Sequence, residues 1–420
     1  MQNQRIVIVG AGHAAVQLVA SLRQEGHAGE ILLVGDEPGL PYQRPPLSKG
    51  FMKDGDADRL ALRPASFYEK NAITRLDGVR VTAVDRAERV LTTADGERIG
   101  YDQLVLATGA RNVRPPIEGA DHASVVELRT LAHAEDIRKR LARARRAIVV
   151  GGGFIGLEFA AMAEAAGVAT VVLEAGARLM ARAVSPAISE RFLSLHRAAG
   201  TTIRLDAAAA RIEAPGGGAP DRVTLADGEV LEGDVVLVAT GVRPNVELAQ
   251  AAGLAVDNGI VVDGQLATAD PAISAIGDCA SVPGPLGTHM RLESVQAATD
   301  QARHLARRLQ HGASEAFEAV PWFWSDQGDA KLQIAGLTTA ADAWQPVGED
   351  VVIGLRSGRL ISVETINQPG PHMAARKLLA AAEPVSAAEL AAADWDLRAL
   401  AKERQGAAGP ARPEAARTAP

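Results

Sequence analysis

A chain of 420 residues with 47% hydrophobic and only 3% aromatic residues is too long for one core, so two or three domains built on Ala, Val, Leu and Ile are expected. A net charge of −7, with no basic patch interleaved with aromatics, argues against a nucleic-acid partner, and no apolar run approaches the roughly 20 residues that span a bilayer. The one cysteine, Cys279, excludes an intramolecular disulfide and a CxxC redox pair.

The N-terminus runs into an apolar strand after Arg5 without the features of a signal peptide, which makes the cytoplasm the expected location. That strand, Ile6 to Val9, is followed by Gly10-Ala11-Gly12-His13-Ala14-Ala15. The next apolar run, Ile31 to Val34, is closed by Asp36. Strand, glycine turn and helix N-terminus in this order let backbone approach a pyrophosphate, and an acid about 20 residues on accepts from ribose hydroxyls. Ala15 replaces the third glycine of the pattern. Glu37, beside Asp36, is left open as the alternative acid. This first segment ends in Leu104-Val105-Leu106-Ala107-Thr108-Gly109.

A second fingerprint follows. Ala147 to Val150 leads into Gly151-Gly152-Gly153-Phe154-Ile155-Gly156, and Glu174 closes Thr170 to Leu173. A carboxylate at Glu174 accepts from a 2′-hydroxyl and repels a 2′-phosphate, so NADH is expected over NADPH. Arg178 and Arg182 are candidates for pyrophosphate contact or solvated charges. The segment ends in Leu237-Val238-Ala239-Thr240-Gly241, a near copy of the first ending. Two such sites point to a flavin and a nicotinamide as the expected pair.

Val242-Arg243-Pro244-Asn245 reads as a crossing point at which Pro ends regular structure. Ile273 to Ala280 reads as a buried strand that returns to the first domain and ends in Gly277-Asp278. Residues 292–310 are expected to be helical, with Leu292, Val295, Ala298, Ala302, Leu305 and Leu309 on one stripe. From 319 the pattern alternates, with strands at 331–335 and 351–353 and helices at 373–382 and 386–404. The aperiodic tail from Gln405 is expected to be disordered. Cys279 reads as a small buried apolar residue, so electrons leave the flavin without a sulfur relay.

Several runs together resemble a known family. They are Arg44-Pro45-Pro46-Leu47-Ser48-Lys49, the two Ala-Thr-Gly endings, Gly151 to Glu158, Gly277-Asp278-Cys279-Ala280, Arg291-Leu292-Glu293-Ser294-Val295 and Pro321-Trp322-Phe323-Trp324-Ser325-Asp326-Gln327. The chain to about residue 404 resembles the FAD-dependent, NADH-using ferredoxin reductases of oxygenase systems. The resemblance implies an α/β fold of two Rossmann-like dinucleotide-binding domains plus a C-terminal α/β interface domain. The implied boundaries are 1–112 with 243–318 for FAD, 113–242 for NADH, 319–404 for the C-terminal domain and 405–420 for the tail.

For FAD the resemblance implies contacts from Gly10, Gly12, His13, Ala14, Asp36, Arg44, Lys49, Val81, Ala107, Thr108, Gly109, Arg129, Gly277, Asp278, Ser294, Val295 and Trp322. For NAD it implies Gly151, Gly153, Phe154, Ile155, Gly156, Glu158, Glu174, Arg182, Thr240 and Gly241. No metal is implied. Lys49 would lie beside the isoalloxazine and Glu158 near the nicotinamide, paired with Lys49 across the site. Asp278 would accept from ribityl hydroxyls or cap a helical turn. Trp322 would lie over or beside the flavin, near the ferredoxin; a core pair with Trp324 is its other reading. Lys49, Glu158 and Trp322 are the flavin-proximal candidates, and no residue is assigned as nucleophile or proton shuttle. Arg291, Lys331, Arg303, Arg307 and Arg308 are candidates for a positive patch or ordinary solvated faces.

The implied function is hydride transfer from NADH to FAD, then single electrons to a 2Fe–2S ferredoxin that feeds a monooxygenase or dioxygenase, in a monomer without a membrane partner. A redox flavoprotein of the apoptosis-inducing-factor type, without a ferredoxin, shares the Pro-Pro-Leu-Ser-Lys loop and stands as the alternative. A disulfide reductase or peroxidase fails on the cysteine count. A quinone reductase would need a membrane-facing amphipathic C-terminus, whereas 386–404 starts acidic and is poor in large apolar residues.

Overall fold

The computed structural model describes residues 3–217, 219–284, 287–312 and 315–407. The apolar run Ile6–Val9 is buried at every position and pairs in parallel with Ile31–Gly35 on one side and Gln103–Leu106 on the other. Strands buried on both faces read as unbroken apolar runs. Ile73–Asp77 and Ile273–Ala275 complete the five-stranded parallel sheet at its two edges. The run from Ile273 thus returns to the first sheet, as expected, through Ala275. The fingerprint helix His13–Gln24 packs on the long helix Val295–His311, whose Ala298, Ala302, Leu305 and Leu309 are buried. Leu292 lies outside that helix, because Ser294 caps it.

The second unit repeats this plan. Arg146–Val150 lies between Ala169–Leu173 and Val235–Val238 in a four-stranded parallel sheet completed by Thr202–Arg204. Each unit also carries a three-stranded antiparallel sheet, Val81–Asp85 with Val90–Thr93 and Arg98–Gly100, and Ala209–Glu213 with Asp221–Leu225 and Val230–Gly233. The internal repeat therefore extends well beyond the Thr-Gly endings.

The crossing point differs from expectation. Val242–Pro244 does not end regular structure; it pairs antiparallel with Ala110–Asn112. A two-stranded ribbon consists only of edges, so Pro costs it no interior ladder bond. Thr108 Oγ1 donates to the Asn245 carbonyl at 2.7 Å, and Asn245 Nδ2 donates to the Thr108 carbonyl at 2.8 Å. The division into 1–112 with 243–318, 113–242 and 319–404 remains our proposal, and this ribbon lies at two of its borders.

The C-terminal unit is a five-stranded antiparallel sheet in the order Trp322–Gln327, Ala330–Gly336, Arg359–Ile366, Val351–Arg356, Ala343–Val347. One face is covered by the helices Pro369–Leu379 and Leu397–Ala407. The other joins a shared core with the second unit, in which Leu332, Ile334, Val352 and Ile366 meet Phe159, Ala163, Ile188 and Phe192. The first helix starts earlier than expected, with Pro369 in its first turn, where a missing N–H costs nothing. The stretch 386–404 is two helices, Ala387–Ala392 and Leu397–Ala407, broken at Asp394 and Trp395, which have φ of 52° and 59°. The tail expected to be disordered from Gln405 begins as helix through Ala407; 408–420 lie outside the described residues. Among the described residues, no helix is long and apolar enough to cross a membrane.

A buried carboxylate joins the C-terminal sheet to the second unit. Glu364 accepts from the backbone N–H of Ser185, N-cap of helix Pro186–Ala198, at 2.9 and 3.2 Å. Burial lifts Glu364 from 4.5 to about 7, against the opposing pull of the Ser185 bonds. A raised folded-state pKa means that the folded protein holds the proton longer than the unfolded chain. Stability contributed by this group is thus full below about 4.5 and is lost as pH rises to about 7. Glu364→Gln is expected to flatten the fall in melting temperature across that window; an unchanged pH slope would remove Glu364 as its cause.

Candidate functional site

Both fingerprints open into one cleft of about 1520 Å³. Gly10 has φ of 109°, and a Cβ there would stand 2.0 Å from the Ala107 carbonyl oxygen. Gly151 has φ of 115°, and its Cβ would stand 2.5 Å from the Ala239 oxygen. The two Ala-Thr-Gly endings are therefore the surfaces against which the fingerprint glycines close. The N-caps of the two helices are Gly12 and Gly153, which have no side chain with which to cap. The first N–H groups of each helix are left for a ligand, as a pyrophosphate requires.

The two acids are not equivalent. Val34 stands opposite Val9, and Leu173 opposite Val150, so the counterpart of Glu174 is Gly35, not Asp36. A Cβ at Gly35 would lie 2.8 Å from the Ala11 Cβ, and one at Gly152 would lie 3.1 Å from the Glu174 Cβ. One partner in each pair must be glycine, and the first site carries its acid one residue later. Asp36 is an exposed wall residue whose ion pair is with Arg80, at 3.3 Å. Glu37 is committed elsewhere, accepting from Tyr42 Oη and Arg44 Nη2, each at 2.5 Å. Of the two acids, Asp36 is the more exposed at the cleft wall.

Glu174 accepts from the backbone N–H groups of Gly152 and Gly176, both at 2.8 Å, which fixes its carboxylate at the cleft wall. Glu174→Arg is expected to reverse the preference between NADH and NADPH, read as the ratio of kcat/KM values. An unchanged ratio would show that the ribose acid lies elsewhere.

Arg44 also donates to Tyr42 Oη at 3.0 Å and to the Arg129 carbonyl at 2.8 Å. Arg129 in turn pairs with Asp278 at 3.2 Å. Tyr42, absent from the sequence reading, accepts from the Leu131 N–H at 2.9 Å, and burial pushes it up to about 12. Asp278 lies inside a short turn, Gly277–Cys279, whose N-cap is Ile276; its capping role is not realised. Gly277 has φ of 75° and donates to the buried Gln301 at 2.7 Å. His13 is held down to about 4 by burial and by Arg44, against Asp278. A neutral imidazole suits a helix N-terminus. Ser294 spends its hydroxyl on the Ala297 N–H at 3.0 Å, and it lines the cleft with Val295.

Lys49 and Glu158 meet as expected. Lys49 Nζ and Ser48 Oγ donate to Glu158 Oε2 at 2.7 and 2.5 Å, and Ser325 Oγ donates to Oε1 at 2.7 Å. Glu158 is 3% exposed. Three segments far apart in sequence thus converge on one carboxylate, and the two serines carried no signal of this in sequence.

Trp322 and Trp324 both line the cleft, with ring centroids 5.5 Å apart. The Arg376 guanidinium lies 4.7 Å from the Trp322 centroid, and the buried His372 meets its edge. Trp322 Nε1 has no hydrogen-bond partner among the described residues. Phe323, on the other strand face, packs on Phe154 at 4.6 Å.

Other expected residues separate. Gly151, Gly153, Phe154, Ile155, Thr240, Gly241 and Arg182 line the cleft, as do Gly12, Ala14, Thr108 and Gly109. Gly156 does not; a Cβ there would strike the Gly151 carbonyl at 2.2 Å, so it serves helix packing. Val81 is buried in the first core, and Arg80 lines the cleft in its place. Arg178 is half-buried and off the cleft: it donates to the Ala181 and Val184 carbonyls and to Ser189 Oγ. Arg182 remains exposed, near Gly241. Arg308 is tied to Ser274 Oγ at 2.6 Å and Arg291 to Glu293 and Asn258, so the five basic residues do not form one free patch. Cys279 is fully buried, and burial pushes its thiol up.

One cleft entered by two uncapped fingerprint helices, each with an acid at the end of its second strand, defines an oxidoreductase that holds two dinucleotides. The chain belongs to the pyridine nucleotide-disulphide oxidoreductase family: residues 4–302 match that family, and residues 322–401 match the reductase C-terminal family. It is 46% identical over 409 residues to rhodocoxin reductase of Rhodococcus erythropolis, covering 95% of each chain. The ferredoxin reductase for the CYP199A2 system of Rhodopseudomonas palustris is 44% identical with a TM-score of 0.90, over 95% of this chain and 100% of that one. The covalent putidaredoxin reductase–putidaredoxin complex matches at 36% identity and a TM-score of 0.90, over 96% of this chain and 100% of that one.

Proposed function

We propose that the protein oxidises NADH and passes the electrons through FAD to a ferredoxin of the 2Fe–2S type that serves an oxygenase. It works as a cytoplasmic monomer without a membrane partner. The observation that carries this reading is the Lys49–Glu158 pair, which links the Arg44–Lys49 loop of the first site to the fingerprint helix of the second. The residues fit the two groups: orphan helix N–H groups for each pyrophosphate, Asp36 and Glu174 for the riboses, and Trp322 with an unmet donor in the cleft wall. When bound, FAD supplies the conversion of a two-electron donor into two one-electron deliveries.

The chain's own work is positional. Gly10, Gly12 and Asp278 hold the first nucleotide, and Gly151, Gly153 and Glu174 the second. Lys49 presents a cation to the cleft, and the C-terminal sheet closes it with Trp322 and Trp324. The buried thiol of Cys279 takes no part. The likeness to reductases named for rhodocoxin, putidaredoxin and a ferredoxin supports the choice of partner.

The test is cytochrome c reduction with NADH across a panel of 2Fe–2S ferredoxins, using protein purified with its flavin. Turnover that depends on one of them is expected. Equal turnover without any ferredoxin would overturn the partner and leave a flavoprotein of the alternative type.

A further inference from the structure

A file of buried polar groups continues from Glu158 away from the cleft, and the function above does not use it. Ser325 and Gln327 lie two apart on the strand Trp322–Gln327 and so share a face with Phe323. That face meets the second unit at three places: Phe323 on Phe154, Ser325 on Glu158 and Gln327 on His196. Ser325 Oγ donates to Glu158 Oε1 at 2.7 Å, Gln327 Nε2 donates to Ser325 Oγ at 3.2 Å, and His196 Nε2 stands 2.8 Å from Gln327 Oε1. Ser325 is 0% exposed, and Gln327 and His196 are each 4% exposed.

Hydrogen bookkeeping gives this file one direction. An ionised Glu158 has no proton to offer, so the single proton of Ser325 goes to it, and Ser325 must then accept from the Gln327 amide. Gln327 therefore turns its oxygen to His196, which donates from Nε2. Burial lowers the pKa of that imidazole, against the opposing pull of the Gln327 bond. Each member thus donates toward the carboxylate, and the second hydrogen of the Gln327 amide goes to Met180 Sδ at 3.5 Å. Its two oxygens are held separately, Oε2 by Lys49 and Ser48 and Oε1 by Ser325, so the group cannot turn. A buried polar file is costlier than apolar packing unless every member is satisfied.

We propose that Ser325, Gln327 and His196 form a buried positioning relay that locks the Glu158 carboxylate toward Lys49 and sets the electric field at the flavin edge of the cleft. None of the three reaches the cleft; they act through Glu158. The proposal rests on the reading that a flavin lies beside Lys49. It assigns the C-terminal unit a part in tuning the cofactor besides walling the cleft. Without the Ser325 donor, the negative charge on Glu158 is less compensated and Lys49 less firmly placed. Both changes disfavour a reduced, negatively charged flavin.

The experiment measures the midpoint potential of bound FAD in the flavin-loaded protein for Ser325→Ala, Gln327→Met, Ser325→Thr and Glu158→Gln, with FAD content as the check on folding. Ser325→Ala should lower the potential by about 30 mV, a tenfold change for a two-electron couple. Gln327→Met should move it the same way, and Ser325→Thr, which keeps the hydroxyl, should return it toward the parent value. Glu158→Gln, which removes the charge itself, should raise it. A shift in Glu158→Gln alone, or a rise in Ser325→Ala, would overturn the relay and leave the Lys49–Glu158 site standing. No shift even in Glu158→Gln, with FAD bound, would remove the flavin from beside this pair and the relay with it. If Ser325→Ala loses its flavin, Gln327→Met decides by the same criterion.

Discussion

Lys49→Met is expected to cost about 3 kcal/mol of unfolding free energy in the flavin-loaded protein, because it leaves Glu158 as a buried carboxylate without its cation. Most of the penalty in breaking such a pair comes from the stranded charge. The double variant with Glu158→Gln should therefore recover most of the loss, since a neutral amide leaves no stranded charge, can accept from Ser325 with its oxygen and can donate to Ser48 with its nitrogen. Lys49→Met should also lower the potential of the bound flavin, because the cation facing the cleft is gone. Denaturant titration of the two single variants and the double variant supplies the cycle. Additive losses in the double variant would show that the two side chains do not interact in solution.

Gly10→Ala and Gly151→Ala should separate the two nucleotide sites. Each adds a Cβ within 2.5 Å of a backbone carbonyl oxygen at φ above 100°, and neither carbonyl can move without displacing the end of a buried strand, Gln103–Leu106 or Val235–Val238. The strained backbone alone costs about 1–3 kcal/mol, and the contact adds to it. Gly10→Ala should yield protein that retains little FAD. Gly151→Ala should stay yellow, with its affinity for NADH lowered about 100-fold, the equivalent of about 2.8 kcal/mol. Parent-like NADH affinity in Gly151→Ala would mean that the second fingerprint does not seat the nicotinamide cofactor.

Local order is what made these glycines legible. A turn that needs φ beyond 100° is written into the chain as Gly, and the strands on either side as unbroken Val, Ile and Leu. The Thr-Gly endings were equally plain, though not that they are what Gly10 and Gly151 close against. The crossing at 242–245 read as a stop because Pro breaks most ladders. That the segment pairs with Ala110–Asn112 depends on where another chain segment lies. That Val81 and Arg178 lie off the cleft could not be read for a similar reason: a residue's exposure to a cleft is a property of the assembled walls. Cys279 read correctly as a small buried residue, since a lone thiol in an apolar run packs like its neighbours.

The acids show the same division. Both could be found by counting from the glycines, but the one-residue offset between Asp36 and Glu174 could not. It follows from which partner in Gly35–Ala11 and Glu174–Gly152 gives up its Cβ, a contact between strands that only register reveals. That Tyr42 and Arg44 claim Glu37 was likewise not written in the local sequence.

The sequence by itself determined the two glycine fingerprints, the return of the run from Ile273 to the first sheet and the family resemblance, because each rests on short-range backbone chemistry or on counting. Only the tertiary structure decided that Ser48, Ser325 and Lys49 share one carboxylate, and that Gln327 and His196 stand behind it. Hydrogen bonds between side chains more than 100 positions apart follow from how the sheets and helices pack, and packing has no period that can be read along the chain.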